Sequence, residues 1–273
     1  MQYDPIKRPL GKVFNSTPWL RVFFYWLLDL LLLRSWHIRR EMRRELKNRN
    51  GLSVLDAGSG FGQYDWFMSS FNKTWRIKGV DVKDEQIADC NTFFARMKRG
   101  DRVRFEKADL TRFDEPASYD VVLSVDVMEH IEEDEQVFRN FYAAMRPGGL
   151  LMISTPSDQG GSDAHDHDHE SDGIHGFIDE HVRDGYNITD IEEKLTRAGF
   201  TNIQARYTYG TPGKLSWKLS MKYPILMVNF SKLLFVVLPF YFLVVYPICF
   251  VLNMFDVRMT HATGTGLLVK ARR

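Results

Sequence analysis

The sharpest chemical signal in the sequence is a glycine-rich segment, Val54-Leu-Asp-Ala-Gly58-Ser-Gly60-Phe-Gly62-Gln63, between an apolar run and a helix-like stretch. Glycines allow the backbone to approach a ligand closely, and the N-terminus of the following helix offers unpaired N–H groups. In isolation, a tight structural turn would have the same sequence pattern. The segment therefore indicates a ligand cradle only if other polar residues converge on it.

Carboxylates follow three further apolar runs. Asp81 lies 25 positions after Asp56, where an acid can accept hydrogen bonds from both hydroxyls of a ribose. Asp109 ends the third run, where it can accept from an adenine amino group, and Asp126 ends the fourth. Because the carboxyl ends of parallel strands lie at one edge of a sheet, these residues predict a single nucleoside-binding cleft.

Short apolar runs alternate with helix-like stretches and must position these groups. We expect strands at Ser53–Ala57, Ile77–Val82, Val103–Ala108, Tyr119–Val125, Leu150–Ser154, Thr201–Tyr209 and Gly266–Ala271. Helices are expected at Gln63–Phe71, Glu85–Lys98, Asp134–Met145 and Ile188–Ala198. Strands that are apolar on both faces are typical of a parallel sheet covered on both sides, so the pattern predicts a doubly wound α/β domain.

The ordered segments DAGSGFG, GVDV, KADL, YDVVLSVDVMEHI and MRPGGLLMIST resemble those of the class I S-adenosylmethionine-dependent methyltransferases. The most similar group is the small-molecule branch that includes the quinone-biosynthesis enzymes. The resemblance covers about residues 52–200 and resumes in the last strand. It implies a Rossmann-like, mostly parallel seven-stranded sheet, a turn at Pro147-Gly148-Gly149 into the fifth strand, and S-adenosylmethionine as the cofactor.

The resemblance also implies cofactor-binding roles for eleven residues. These are Asp56, Gly58, Ser59, Gly60 and Gly62 around the methionine part, Asp81 and Val82 at the ribose, Asp109 and Leu110 at the adenine, and Val125 and Asp126 beneath the sulfonium. A nicotinamide enzyme is disfavoured, because the spacing G-x-G-x-x-G would need glycine or alanine where Gln63 stands.

Methyl transfer from a sulfonium mainly requires alignment, and a base only if the acceptor must lose a proton. The candidate catalytic residues are His130, after the fourth strand, and His181, before a helix. Glu129 is a weaker candidate and His175 another. The alternative is that His130 only holds local backbone and that His181 is a surface residue.

The run His165-Asp-His167-Asp-His169-Glu contains side chains that suit Zn²⁺, Mn²⁺ or Ni²⁺. The surrounding residues 157–173 contain almost no apolar side chains, however, which is typical of a solvated loop. We therefore expect no metal and a loop that could close over the acceptor.

Two apolar segments extend beyond the cofactor domain. Residues 18–47 are predicted as one long helix, apolar in its first half and basic in its second, which lies on a membrane surface. Leu233–Leu252 is long enough to span a bilayer, but strands on either side of it must join one sheet. Pro239 and Pro247 also favour broken helices, so we expect a hairpin inserted in one leaflet. A buried oligomer interface and an ordinary helical subdomain are the alternatives.

The sequence accordingly divides into four parts: a membrane-surface arm (1–50), the cofactor-binding domain (51–210), an apolar helical insertion (211–259) and a closing strand (260–273). The net charge is only +1, but both ends are basic beside apolar runs, which favours an anionic membrane over nucleic acid. Two distant cysteines indicate a reducing compartment. We therefore expect a peripheral or monotopic protein on the cytoplasmic face, with the oligomeric state left open. Its predicted function is methylation of a lipophilic acceptor, and the alternative is a non-catalytic membrane adaptor.

Overall fold

The computed structural model describes residues 17–160 and 182–273. Seven strands form one sheet in the order β3-β2-β1-β4-β5-β7-β6, in which β7 runs antiparallel to both of its neighbours. The strands are β1 (Ser53–Ala57), β2 (Arg76–Asp81), β3 (Val103–Lys107), β4 (Tyr119–Val125), β5 (Met145–Pro156), β6 (Thr201–Thr208) and β7 (Gly266–Arg272). This topology confirms the predicted Rossmann-like, mostly parallel seven-stranded fold. Pro147-Gly148-Gly149 lies within β5 rather than before it.

Nine α-helices accompany the sheet in the described residues. They are α1 (Pro18–Leu31), α2 (Leu33–Leu46), α3 (Gln63–Phe71), α4 (Asp84–Arg96), α5 (Asp134–Ala144), α6 (Ile188–Arg197), α7 (Thr211–Trp217), α8 (Tyr223–Phe230) and α9 (Leu238–Arg258). Helices cover both faces of the sheet because the central strands β1, β4 and β5 carry buried side chains on both faces. Phe138 of α5 joins Leu55 and Leu151 in one core cluster, whereas Met42 of α2 joins Val54 in the other.

The predicted single long helix is wrong, since it breaks at Leu32 into α1 and α2. Leu32 has extended dihedral angles (φ −90°, ψ 107°), and the chain changes direction there. Ile38 and Met42 of α2 are fully buried against the sheet. One face of α2 therefore belongs to the core of the α/β domain, while Arg43 and Arg44 on its other face are exposed. The expectation that this basic half lies on a membrane surface stays a prediction.

The insertion between β6 and β7 folds back on itself as a helical hairpin. Helices α7 and α8, joined by a π-helical turn, form the outgoing arm, and α9 returns to the sheet. Pro239 stands in the first turn of α9, but Pro247 lies inside a continuous helix, so the expected break at Pro247 is wrong. Proline removes one backbone hydrogen bond there without ending the helix.

The hairpin exposes large apolar side chains, including Phe230 (89% exposed) and Leu233 (81%) at its tip. Helix α9 is long and apolar enough to cross a membrane by length and composition, with a mean hydropathy of 1.9 in its most apolar window. Its base is anchored to the sheet by the buried Asp256, which accepts hydrogen bonds from the backbone N–H groups of Gly213 (2.9 Å) and Tyr209 (3.2 Å). The two ends of the insertion therefore lie next to each other, beside the sheet.

Candidate functional site

The glycine-rich loop between β1 and α3 has the backbone shape that only glycine adopts without strain. Gly58, Gly60 and Gly62 all have positive φ, at 85°, 51° and 76°. A Cβ at Gly58 would lie 2.2 Å from Cγ2 of Val127, just beyond β4. A Cβ at Gly60 would meet no atom within 4 Å, so this part of the loop borders open space. The loop is thus packed against the β4 end on one side and open on the other.

Backbone amides tie this loop to the end of β2. The N–H groups of Gly58 and Ser59 both donate to the carbonyl of Val80 at 2.9 Å. Gly60 donates its N–H to Oδ2 of Asp81 at 3.0 Å, while Lys83 donates its N–H to Oδ1 at the same distance. These bonds fix the Asp81 carboxylate at the rim of the loop.

The adenine side of the predicted site continues from β2 to β3. The N–H of Ala108 donates to the carbonyl of Asp81 at 3.1 Å, which brings Asp109 next to the Asp81 turn. Asp109 is exposed and accepts from both N and Oγ1 of Thr111, which lowers the pKa of its carboxyl. Val82 is 58% exposed at the same rim, whereas the side chain of Leu110 is buried in the core.

Two buried polar atoms at the loop have no hydrogen-bond partner among the described residues. These are Oγ of Ser59 and Oδ2 of Asp56, in residues that are 8% and 1% exposed. Buried polar groups are nearly always paired, so orphaned oxygens beside an open glycine turn are expected where a polar ligand binds. The unpaired Ser59 hydroxyl, the open space at Gly60 and the Asp81 carboxylate at the rim therefore fit a ligand that carries a ribose and other hydrogen-bonding groups, as S-adenosylmethionine does.

A second carboxyl lies beside Asp56 and was missed by the sequence analysis. Asp65, in the first turn of α3, is fully buried, and its carboxyl lies within hydrogen-bonding reach of the Asp56 carboxyl. Burial raises the pKa of Asp56 to about 7, with the charge of Asp81 adding to it, and raises the pKa of Asp65 well above its ordinary value. The pair therefore retains a proton at neutral pH. An acid three positions after Gly62 was the available signal.

Asp126 stands at the carboxyl end of β4 with a positive φ of 51°. Its carboxylate forms an ion pair with Arg34, which enters from the start of α2. Tyr209 lies beside this pair and accepts a hydrogen bond from the backbone N–H of Arg34 at 3.0 Å. The sequence predicted Asp126 but not its partner Arg34, because the two residues lie 92 positions apart.

Glu129 is the most perturbed acid near the end of β4. It is 1% exposed and accepts a hydrogen bond from Oγ1 of Thr155 at 3.1 Å. Burial, and next the neighbouring charge of Asp126, raise its pKa to about 8. His130 lies in the same 3₁₀ turn but is exposed. His175 and His181 lie outside the described residues, so only Glu129 and His130 are placed.

The first helix contacts the cofactor loop directly. Arg21 donates from Nη2 to the carbonyl of Phe61 at 2.8 Å, and the hydroxyl of Tyr25 also donates to that carbonyl. Both side chains are buried, although they lie in a helix that is otherwise largely apolar. On the following turn, Gln63 donates from Nε2 to Oδ1 of Asp29 at 2.8 Å. A polar pair four residues apart on an apolar helix was the signal for this contact.

Within residues 17–160 and 182–273, no group of three or more metal-ligating side chains could hold a metal ion. His165, His167 and His169 lie outside these ranges, so the expectation of a metal-free loop stays a prediction.

Comparison with known proteins finds similar methyltransferases. Residues 55–151 match the family model described as "Methyltransferase domain". Phosphoethanolamine N-methyltransferase of Triticum aestivum is 29% identical over 156 residues, which are 57% of this chain and 29% of that protein. Erythromycin 3''-O-methyltransferase of Saccharopolyspora erythraea is 29% identical over 119 residues, or 42% of this chain and 39% of that protein.

The fold is shared with solved structures. Phosphoethanolamine N-methyltransferase 2 of Haemonchus contortus, in complex with phosphomonomethylethanolamine and S-adenosylhomocysteine, has a TM-score of 0.60 at 19% identity, covering 87% of this chain and 52% of that chain. This chain spans only 29% and 31% of the lengths of the first two curated relatives. The match therefore lies in the part of the chain that contains the glycine-rich loop: residues 55–151 match a methyltransferase domain, and the chain shares the fold of a solved methyltransferase.

Proposed function

We propose that this protein transfers a methyl group from S-adenosylmethionine to a lipophilic acceptor at a membrane surface. The observation that carries the proposal lies in α1. One face of this helix contacts the glycine-rich loop through Arg21 and Tyr25, while its other face exposes Trp19 (73%) and Phe23 (50%). A helix that touches both the cofactor loop and the outside apolar surface suits an acceptor that arrives from lipid.

When bound, S-adenosylmethionine supplies a methyl group that its sulfonium already activates. The chain then contributes binding and alignment. We assign the ribose to Asp81 and the adenine to Asp109, and the open side of Gly60 beside the Asp81 carboxylate supports this assignment. Burial keeps the Glu129 carboxyl protonated up to about pH 8, so it can donate a hydrogen bond at neutral pH and accept a proton from an acceptor only when ionised. His130 and His181 remain the histidine candidates for the same role.

Two apolar surfaces support attachment to the membrane. The hairpin of α7, α8 and α9 exposes Phe230, Leu233 and Leu243, and α1 exposes a second apolar face. Patches of this kind are rare on proteins that contact only water. Because Asp256 anchors both arms of the hairpin at one end, we infer insertion in a single leaflet. The two distant cysteines favour a reducing compartment, so we infer the cytoplasmic face.

The acceptor proposed is a quinone precursor, a pigment or a lipid. The named relatives methylate nitrogen or oxygen on phosphoethanolamine and erythromycin, so a shared cofactor domain does not select the acceptor. The exposed apolar surfaces favour one that partitions into lipid.

Cofactor binding is tested by isothermal titration calorimetry with S-adenosylmethionine. We expect the wild type to bind, and Asp81→Ala to lose at least tenfold in affinity because two backbone donors and the ribose contact are affected. Glu106→Ala, an exposed acid on the neighbouring strand, is the control and should bind as the wild type does. A folded wild type that does not bind the cofactor would refute the proposal.

Turnover is tested with a total lipid extract and S-adenosylmethionine that carries a labelled methyl group, followed by mass spectrometry. A labelled lipid product is the expected result and identifies the acceptor. Cofactor binding without any labelled product would favour the non-catalytic adaptor.

Attachment is tested by flotation with phosphatidylcholine vesicles. Phe230→Ser with Leu233→Ser at the hairpin tip should reduce the bound fraction strongly. Met259→Ser, which changes a half-exposed residue at the hairpin base, should not. Equal binding by all three proteins would contradict insertion through the tip.

A further inference from the structure

We propose that a basic cleft between α1, α2 and α9 binds the phosphate of an anionic phospholipid headgroup. The cleft has a volume of about 430 Å³ and lies apart from the cofactor loop. Its lining alternates arginine with aromatic and aliphatic side chains. Asp29 is the only acid among the lining residues, which also include Arg39, Arg40, Arg43, Arg258, Trp26 and Trp36.

The charge of the cleft is unbalanced. Four arginines face one carboxylate, and that carboxylate is paired with Arg39. Among the described residues, Arg40, Arg43 and Arg258 have no carboxylate partner. Arg40 donates to the carbonyl of Val257, Arg258 donates to the carbonyl of Met254 at 3.0 Å, and Arg43 lies over the ring of Phe67. Guanidinium groups held in this way retain donors for a doubly or triply coordinated phosphate.

One donor is already orphaned. The Nε–H of Arg39 is buried and has no acceptor among the described residues, although Nη2 of the same side chain is paired with Asp29. Burial, opposed by Asp29 and reinforced by the charge of Arg43, lowers the pKa of Arg39 below its ordinary value. Arg39 and Arg43 thus place like charges close together, and an anion in the cleft would be attracted by both.

The rim of the cleft indicates a lipid rather than a water-soluble phosphate. Trp26 is 54% exposed and stacks on the exposed Phe23 with ring centroids 5.8 Å apart. Trp36 packs edge-on against Phe250, which is 41% exposed, at 5.1 Å. The cleft thus opens directly onto the apolar surfaces of α1 and α9. A ligand that fills both parts must have an anionic head and an apolar tail, and tryptophan is typical of the level at which the two meet.

The cleft is separate from the cofactor site, but one hydrogen-bonded residue connects the two. Asp29 accepts from Arg39 in the cleft and from Gln63, the first residue of α3 after the glycine-rich loop. The inference rests on the proposed membrane attachment and does not require turnover. Its test therefore measures vesicle binding, with cofactor affinity as an independent readout.

The experiment compares full-length proteins in flotation with vesicles of phosphatidylcholine alone and of phosphatidylcholine mixed with phosphatidylglycerol. The test variant is Arg43→Gln with Arg258→Gln. The control is Arg44→Gln with Arg104→Gln, which removes two exposed arginines outside the cleft. Because each arginine near an anionic bilayer contributes about fivefold to binding, the test variant should lose about 25-fold on the mixed vesicles and little on the neutral ones. The control should lose less than threefold, since surface charges outside a site are screened.

Soluble glycerol 3-phosphate distinguishes the two sources of a phosphate. It should compete only weakly at constant ionic strength, because it lacks the apolar tail. Strong competition that disappears in the test variant would replace the lipid site with a site for free phosphate. If the test and control variants lose the same affinity for the mixed vesicles, general surface charge and not the cleft binds the lipid. If the test variant binds these vesicles as the wild type does, the inference is wrong. Calorimetry with S-adenosylmethionine should give wild-type affinity for both variants, so a failure of cofactor binding reports on the proposed function instead.

Discussion

Buried carboxyl groups dominate the site at the residue scale. Asp56, Asp65 and Glu129 are almost wholly buried at the cofactor edge of the sheet, and burial raises the pKa of each. A buried acid that keeps its proton costs less than a buried charge. Folding therefore requires these residues to remain protonated at a pH where the unfolded chain would release the protons.

This pattern predicts a loss of stability as the pH rises. Glu129 has a folded pKa of about 8 against an ordinary value of 4.5, so the folded state binds more protons between these values. Its contribution is fully present below pH 4.5 and is lost as the pH rises through 8. Glu129→Gln should reduce the fall in the free energy of unfolding between pH 5 and pH 8 by about 3.5 kcal/mol.

Urea denaturation at the two pH values measures this effect. Glu132→Gln, an exposed neighbour in the same segment, should leave the wild-type pH dependence unchanged. If Glu129→Gln and Glu132→Gln show the same pH dependence of the free energy of unfolding, a residue other than Glu129 holds the proton.

The glycine-rich loop gives a second residue-scale prediction. Gly58→Ala should destabilise the fold by about 3 kcal/mol, because its Cβ would overlap Val127 in addition to the cost of positive φ. Gly60→Ala faces open space and should cost only about 1 kcal/mol, for φ alone. Urea denaturation compares the two, and Val127→Ala in the Gly58→Ala background should recover part of the loss. Equal costs at the two glycines would show that the overlap is relieved without strain.

At the scale of elements, the N-terminal helices and the insertion are held to the sheet by buried polar contacts. Asp256 of α9 accepts from Nε2 of His37 in α2 at 2.9 Å and from the backbone where α7 begins. Burial lowers the pKa of His37, so this histidine is neutral and donates one hydrogen bond. A single fully buried carboxylate thus joins α2, α7 and α9.

Asp256→Ala should therefore destabilise the protein by about 4 kcal/mol, since several buried donors lose their acceptor together. Limited proteolysis should cut the variant first within residues 211–259, where the insertion would separate from the sheet. Asp190→Ala removes an exposed carboxylate paired with Lys194 one turn away and should change stability by less than 0.5 kcal/mol. Proteolysis of Asp256→Ala at the wild-type rate would contradict the anchoring role.

At the scale of the whole molecule, the arginine cleft lies next to the exposed apolar surfaces of α1 and α9. The net charge of the chain is only +1, but four arginines are concentrated in the cleft beside the apolar hairpin. Burial of the hairpin in lipid does not depend on salt, whereas attraction of arginine to a phosphate is screened over about 3 Å at 1 M salt. Membrane binding should accordingly consist of two separable contributions.

Flotation of the wild type at low salt and at about 1 M salt measures both contributions. Binding to phosphatidylcholine vesicles should persist at high salt, and the preference for vesicles that contain phosphatidylglycerol should be lost. A protein released from both kinds of vesicle by salt alone would show that the apolar surfaces do not insert.

The sequence by itself determined the sheet and the chemistry of its edge. Strands apolar on both faces, the glycines at 58, 60 and 62, and the acids Asp81 and Asp109 are local signals, because each one depends on the backbone conformation or position of its own strand end. The order of these signals along the chain was enough to predict the fold and the cofactor. The structure brings them to one rim through short contacts such as the 3.0 Å bond from Gly60 to Asp81.

Only the tertiary structure decided what surrounds that rim. The Arg34–Asp126 ion pair joins residues 92 positions apart, and the bond from His37 to Asp256 joins residues 219 apart. The break at Leu32 allows α2 to pack into the core. The basic composition of that segment gave no indication of this packing. Local periodicity reports which face of an element is apolar, but the partner that covers the face is set by contacts distant in sequence. Those contacts made α2 a core helix and left the hairpin and the arginine cleft exposed.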